Sequence, residues 1–229
     1  MSQPKTGDPR VPKVPDLADL PFAEALIPHE GEFGGGDDYD TVLFERQEFD
    51  DPRAANVRLL ECAFRQVSIS EGRLTRAGLR DVWARDLRLT GTNLAESSWQ
   101  DVTVIGSSLA GAQIYGAGLR RVVFSGCKLD SVNFRTSRLT DVVFDHCVLR
   151  DVDFGGATLT RCSFGGCELT RVELSKVTME QTDLRGASLG LIIDAGSLRG
   201  SIMTSGQLTV VAPVLAQTLG IEINDDQPE

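Results

Sequence analysis

An apolar residue falls at every fifth position from Phe44 to Leu189, a spacing that ordinary helices and strands do not produce. The series includes Phe64, Phe124, Leu129, Phe134, Phe144, Leu149, Phe154, Phe164 and Leu169. All 30 of its positions are apolar, and only Ala54 and Ala84 are small. An α-helix repeats every 3.6 residues and a plain strand every two, so a period of five fits neither. It fits a backbone that turns a corner every five residues, four sides closing a square coil of 20.

A second inward set lies two residues before each centre. From Val57 onward it is Val, Ala, Cys, Ser or Thr, with Gly72 and Leu87 as exceptions. Two residues after the centre Gly recurs, at Gly91, Gly106, Gly126 and Gly166 among others, as a turn with positive φ favours. Sorted by coil position, Phe44, Phe64, Phe124, Phe144 and Phe164 fall on one face and Phe134 and Phe154 on the opposite face. Leu dominates the two faces between. Stacked rings facing stacked aliphatics fill a square core at native density, and the backbone bonds to the coils above and below as in a parallel sheet. The rod is expected to have about 7.5 coils, at roughly 4.8 Å each about 36 Å in length.

The pattern, roughly A-(D/N)-L-x-x, is carried by segments such as Thr92-Asn93-Leu94, Val132-Asn133-Phe134 and Val152-Asp153-Phe154. Over residues 42–191 it resembles the pentapeptide-repeat family. The resemblance implies an all-β chain: a right-handed quadrilateral parallel β-helix with a C-terminal α-helical cap. A more distant resemblance is to the quinolone-resistance branch of that family, which binds DNA gyrase by occupying the DNA site with an acidic rod and dimerises through its C-termini.

The flanks read differently. Residues 1–41 are rich in Pro and Gly and acidic, and are expected to be partly disordered, with residues 17–26 packing on the first coil. After the β-helix at 42–191, residues 192–208 form an irregular last coil, the register breaking after Leu189 and resuming at Leu198, Met203 and Leu208. Thr204 and Gln207 have capping-box spacing, so a helix is expected over 205–220, followed by an acidic tail at 221–229. Leu208, Val211, Leu215 and Leu219 share one helical face. That face covers the rod's open strand edge, makes a two-fold dimer contact, or does both. Pro213 is expected to kink the helix or start a second one.

The net charge of −10 belongs to the ends. Residues 56–190 carry 15 acids against 17 bases, and no face of the coil is an acidic stripe. A 36 Å rod imitating duplex DNA presents roughly 21 negative charges, which this one does not. Its scattered bases also argue against strong nucleic-acid binding. No apolar window is long enough to cross a bilayer, and no apolar core of a secretion signal is present. Five cysteines in such a chain read as reduced thiols of a cytoplasmic protein.

Candidate chemistry is sparse. Cys127, Cys147 and Cys167 stand 20 residues apart at the small inward position, a buried ladder about 5 Å apart. Sulfurs in a line are not a tetrahedral metal site, so they read as small hydrophobes. Asp145-His146 reads as a surface turn, and residues 34–38 lack both the Lys of a phosphate loop and the spacing of a calcium loop. Trp83, outward beside the undersized Ala84, is expected to fold over that weak rung or to offer a sticky surface patch. No catalytic, metal, cofactor or small-molecule site emerges. The leading expectation is a non-enzymatic scaffold or protein-interaction module with an unidentified protein partner, and a homodimer through the C-terminal helix. The alternative is a gyrase- or topoisomerase-binding DNA mimic that protects against quinolones or toxins.

Overall fold

Residues 20 apart lie one above another: Phe44 pairs with Phe64, Leu129 with Leu149 and Leu139 with Leu159, all in parallel register. The computed structural model describes residues 14–194 and 196–224. Over them the chain winds about 8 turns of a right-handed, four-sided parallel β-helix closed by one C-terminal helix. One ladder of strands runs from Glu48–Asp50 to Ser188–Ile192, and a larger one takes in Val42–Glu45, Gly78–Arg85, Ser98–Ile105 and Gly118–Ser125. The wall between them is joined by single bridges, such as Asn93 to Gln113 and Asn133 to Asp153.

The corners explain the period. The residue two after each centre from Phe44 to Leu184 adopts left-handed backbone, whether it is Gly91 at φ 58° or Asp141 at 56° and Arg161 at 52°. Left-handed backbone disfavours residues with a Cβ. The strain is offset by bonds to both neighbouring coils: Gln66 N–H donates to Arg85 O at 3.0 Å on one side, and Ser68 N–H donates to Gln47 O at 2.9 Å on the other.

Inside the square, Phe124, Phe144 and Phe164 stack at 5.0 and 4.9 Å, and Phe134 and Phe154 at 5.1 Å. The Phe44–Phe64 stack at 4.6 Å ends at Ala84. There, an apolar cavity of about 40 Å³ is lined by Phe64, Ala84, Trp99 and Val104 among others.

Both ends differ from the sequence reading. The coil begins before residue 42: Asp38–Asp40 pairs with Arg58–Leu60, and Ile27–Pro28 pairs with Val42–Leu43. Phe33 is buried and plugs the open end against the rings of Tyr39, Phe44 and Phe49, 5.4–5.5 Å away. Of the segment 1–41 expected to be partly disordered, residues 1–13 lie outside the described part. The rest carries two strands, two short 3-10 turns at Leu17–Asp19 and Ala23–Ala25, and the Phe33 plug. Those turns lie along the flank near Trp83, two coils below the first.

At the C-terminus the register shifts between Leu169 and Val172 where Ser188–Ile192 pairs with Glu168–Glu173. The coil nevertheless continues, since Ser201–Ile202 pairs with Thr182–Asp183. The helix Ser205–Thr218 (α1) runs as one element through Pro213. The carbonyl left without a partner by the missing Pro N–H belongs to exposed Thr209, where water can reach it. Residues 225–229 of the acidic tail lie outside the described part.

Candidate interaction surfaces

The helix α1 is apolar nearly all round, so its sequence period does not select the face that packs. Thr204 caps it, its Oγ1 accepting from Gln207 N–H at 3.1 Å while Gln207 Oε1 accepts from Thr204 N–H at 3.0 Å. The rod-facing stripe is Gln207, Val211 and Leu215. Gln207 Nε2 donates to the carbonyls of Leu184 at 2.6 Å and Ala187 at 2.8 Å, and so takes the place of the backbone N–H that a further coil would offer Ala187. Val211 is buried and Leu215 packs on the core. Leu208 and Leu219, read with them as one face, point away and are 50% and 62% exposed. Val210, Val214, Ile221 and Ile223 are exposed beside them.

The second surface is the flank around Trp83. Trp83 points outward from the strand Gly78–Arg85, yet it is only 1% exposed. Residues 15–22 lie across it as a strap: its Nε1–H donates to Pro15 O at 3.0 Å, and Arg85 Nη2 donates to Asp16 Oδ1 at 2.7 Å. The Arg85 guanidinium also sits 5.3 Å from the indole ring centre. Phe22 is the one buried residue of the strap. Nothing in the local sequence announced this contact, because its partners are 68 and 69 residues apart and the strap has no period. The signal available was an outward Trp too large to leave in water.

The cysteine ladder stands in the wall between these surfaces. Cys127 N–H donates to Cys147 Sγ and Cys147 N–H to Cys167 Sγ, each at 3.4 Å, while each thiol donates to a carbonyl of the preceding coil at 3.3 Å. All five cysteines are free and buried. Burial pushes the Cys162 thiol up to about 12 and Cys62 up to about 11, and the neighbouring Cys147 thiol, with burial, raises Cys127. Such thiols stay protonated and poorly nucleophilic at neutral pH. Among the described residues no group of His, Cys, Asp and Glu is arranged to hold a metal ion.

Asp145 accepts from His146 Nδ1 at 2.8 Å through one oxygen and from Ser125 Oγ at 3.3 Å through the other. Ser and His therefore bond to different oxygens of the same carboxylate and not to each other, so the imidazole is not positioned as a base on the hydroxyl. The remaining surface charge is laced between coils. Arg161 clamps Asp141 through bonds of 2.6 and 2.8 Å, and Arg121 and Arg171 hold Asp101 and Asp151 in the same way. Each guanidinium keeps its carboxyl below the usual carboxylate range.

These features define a square parallel solenoid with a capped apolar end, a strapped flank and a charge-paired surface. Residues 98–174 match the family model described as a pentapeptide repeat region. Among solved structures the chain is similar to a trypsin-treated variant of QnrB1, described as a plasmid-mediated fluoroquinolone resistance protein. The TM-score is 0.58 at 18% identity, over 87% of this chain and 98% of that one. A second trypsin-treated QnrB1 variant superposes with a TM-score of 0.50 at 15% identity, over 80% and 99% of the two chains. No curated protein sequence matches significantly. At such identities the likeness is one of fold.

Proposed function

We propose that the protein is a non-catalytic interaction module that pairs with a second copy through its C-terminal end. The observation that carries this reading is the apolar surface there. Leu208, Val210, Val214, Leu219, Ile221 and Ile223 are all exposed on or just beyond one helix, and exposed apolar surface concentrated at one end of a molecule marks interaction sites. A two-fold contact uses the same patch on both copies and covers it on both. The buried, protonated thiols suit a reducing, cytoplasmic setting. In light scattering the intact chain is expected at dimer mass. The double variant Val210→Asp/Leu219→Asp, which leaves Gln207, Val211 and Leu215 on the rod, is expected at monomer mass. A monomer mass for the intact chain sinks the reading.

The topoisomerase reading draws on the fold shared with QnrB1. Against it stands the rod's surface, where Asp101, Asp141 and Asp151 are each neutralised by an Arg of the next coil. A supercoiling assay with and without a quinolone separates the two, and no effect at micromolar protein removes the second.

A further inference from the structure

We propose that the Trp83 flank is a peptide-binding groove whose ligand is a proline-containing, turn-forming segment of a partner protein, and that the strap occupies it in cis. The proposal rests on reading the chain as an interaction module, but it uses a surface independent of the C-terminal end. The strap itself defines the ligand's chemistry. A backbone carbonyl beside a proline accepts from Trp83 Nε1, the next residue offers a carboxylate to Arg85, and an aromatic ring six residues further is buried. The strap meets these groups through tight turns at Leu17–Asp19 and Ala23–Ala25, and Pro15 and Pro21 restrict the backbone and so limit the freedom lost on docking.

Two observations indicate an exchangeable occupant. The strap's hold is slight for its length: its turns Leu17–Asp19 and Ala23–Ala25 bury no residue, and Phe22 is its only buried side chain. The groove also does not end where the strap ends. Asp101 and Thr103 line both the cleft beneath Leu20, Pro21 and Phe22 and an open groove that continues past Val123 and Val143. A partner segment longer than the strap reaches Val123 and Val143, set among the paired charges of Asp101, Arg121, Asp141 and Arg161, and so gains apolar and polar contacts with which to displace it. The competing intramolecular strap sets a threshold, since its effective concentration is high.

Trp83 reports occupancy directly. The other tryptophan, Trp99, is buried in the core with its Nε1–H donating to Ser97 Oγ at 2.8 Å, and supplies a constant background. In the full-length protein both tryptophans are expected to resist acrylamide quenching. In full-length Phe22→Ala, with its melting midpoint checked against the parent, Trp83 is expected to become quenchable. A synthetic peptide of residues 14–24 then restores protection saturably, and the same peptide carrying Asp16→Ala and Phe22→Ala does not. A second variant, Leu20→Ser, gives the same readout if Phe22→Ala folds poorly. Trp83 remaining protected in both variants, or no restoration by millimolar peptide, overturns the groove. Neither result touches the dimer mass of the intact chain, so failure here is distinct from failure of the module reading.

Discussion

Phe144→Ala is expected to lower the unfolding free energy by about 3–5 kcal/mol, as for other large-to-small changes in well-packed cores. Phe144 is fully buried and touches four other rings. It stacks between Phe124 and Phe164 at 5.0 and 4.9 Å and meets Phe134 and Phe154 edge-on at 6.5 and 6.2 Å. Removing it leaves a void that cannot close, because its neighbours are fixed by backbone ladders on both sides. In a solenoid each coil contacts only its neighbours, so the void divides the rod in its middle. Denaturant unfolding of the variant is expected to show a lower midpoint, and Phe144→Leu, which keeps most of the volume, a much smaller loss. A change below about 1 kcal/mol for Phe144→Ala contradicts the continuous stack.

Gln207→Leu is the second large effect expected. The substitution keeps the helix apolar and similar in size but removes the amide that donates to the carbonyls of Leu184 and Ala187. It also removes the acceptor for Thr204 N–H. Leaving a buried acceptor unsatisfied costs about 1–3 kcal/mol, while Thr204 Oγ1 still caps the backbone N–H of position 207. Because the defect sits at one end, hydrogen exchange is the sensitive measurement: protection is expected to fall in α1 and the last coil while the coils around Phe144 keep theirs. Uniform loss, or none, contradicts the view that this side chain closes the rod.

The rod was legible in the sequence because every inward position meets the same square cross-section, so size and polarity repeat with it. Phe124, Phe144 and Phe164 had to coincide once four sides were assumed, and the cysteines at 127, 147 and 167 follow by the same arithmetic. The ends were not legible, for physical reasons. Tyr39 continues the five-residue phase backward from Phe44, but the chain before it leaves the period, and Phe33 plugs the end from an irregular loop. The strap contact joins residues nearly 70 positions apart without any local pattern. In α1, the apolar residues surround the helix, so amphipathicity could not tell that Val211 and Leu215 face the rod while Leu208 and Leu219 face away. Gln207 was visible as a capping residue, but its bonds to the last coil depend on where the helix docks.

The surfaces tell the same story from the other side. Outward positions are free to vary, and what they encode is pairing between coils, as in Asp141 with Arg161, or a cover, as in Trp83 beneath Pro15. A functional surface on such a rod is therefore found where the repeating surface is interrupted. The two interruptions are the apolar helix at the C-terminal end and the strapped flank.

Disulfide trapping between stacked outward residues tests the geometry most directly. Lys128 and Val148 are paired neighbours on adjacent coils, within the Cα separation a disulfide accepts, whereas Lys128 and Arg138 belong to opposite walls. Under mild oxidation of the folded protein, Lys128→Cys/Val148→Cys is expected to form an intramolecular disulfide, and Lys128→Cys/Arg138→Cys is expected to leave both new thiols free. Cross-linking of the second pair, or failure of the first, contradicts a coil that returns to the same wall every 20 residues.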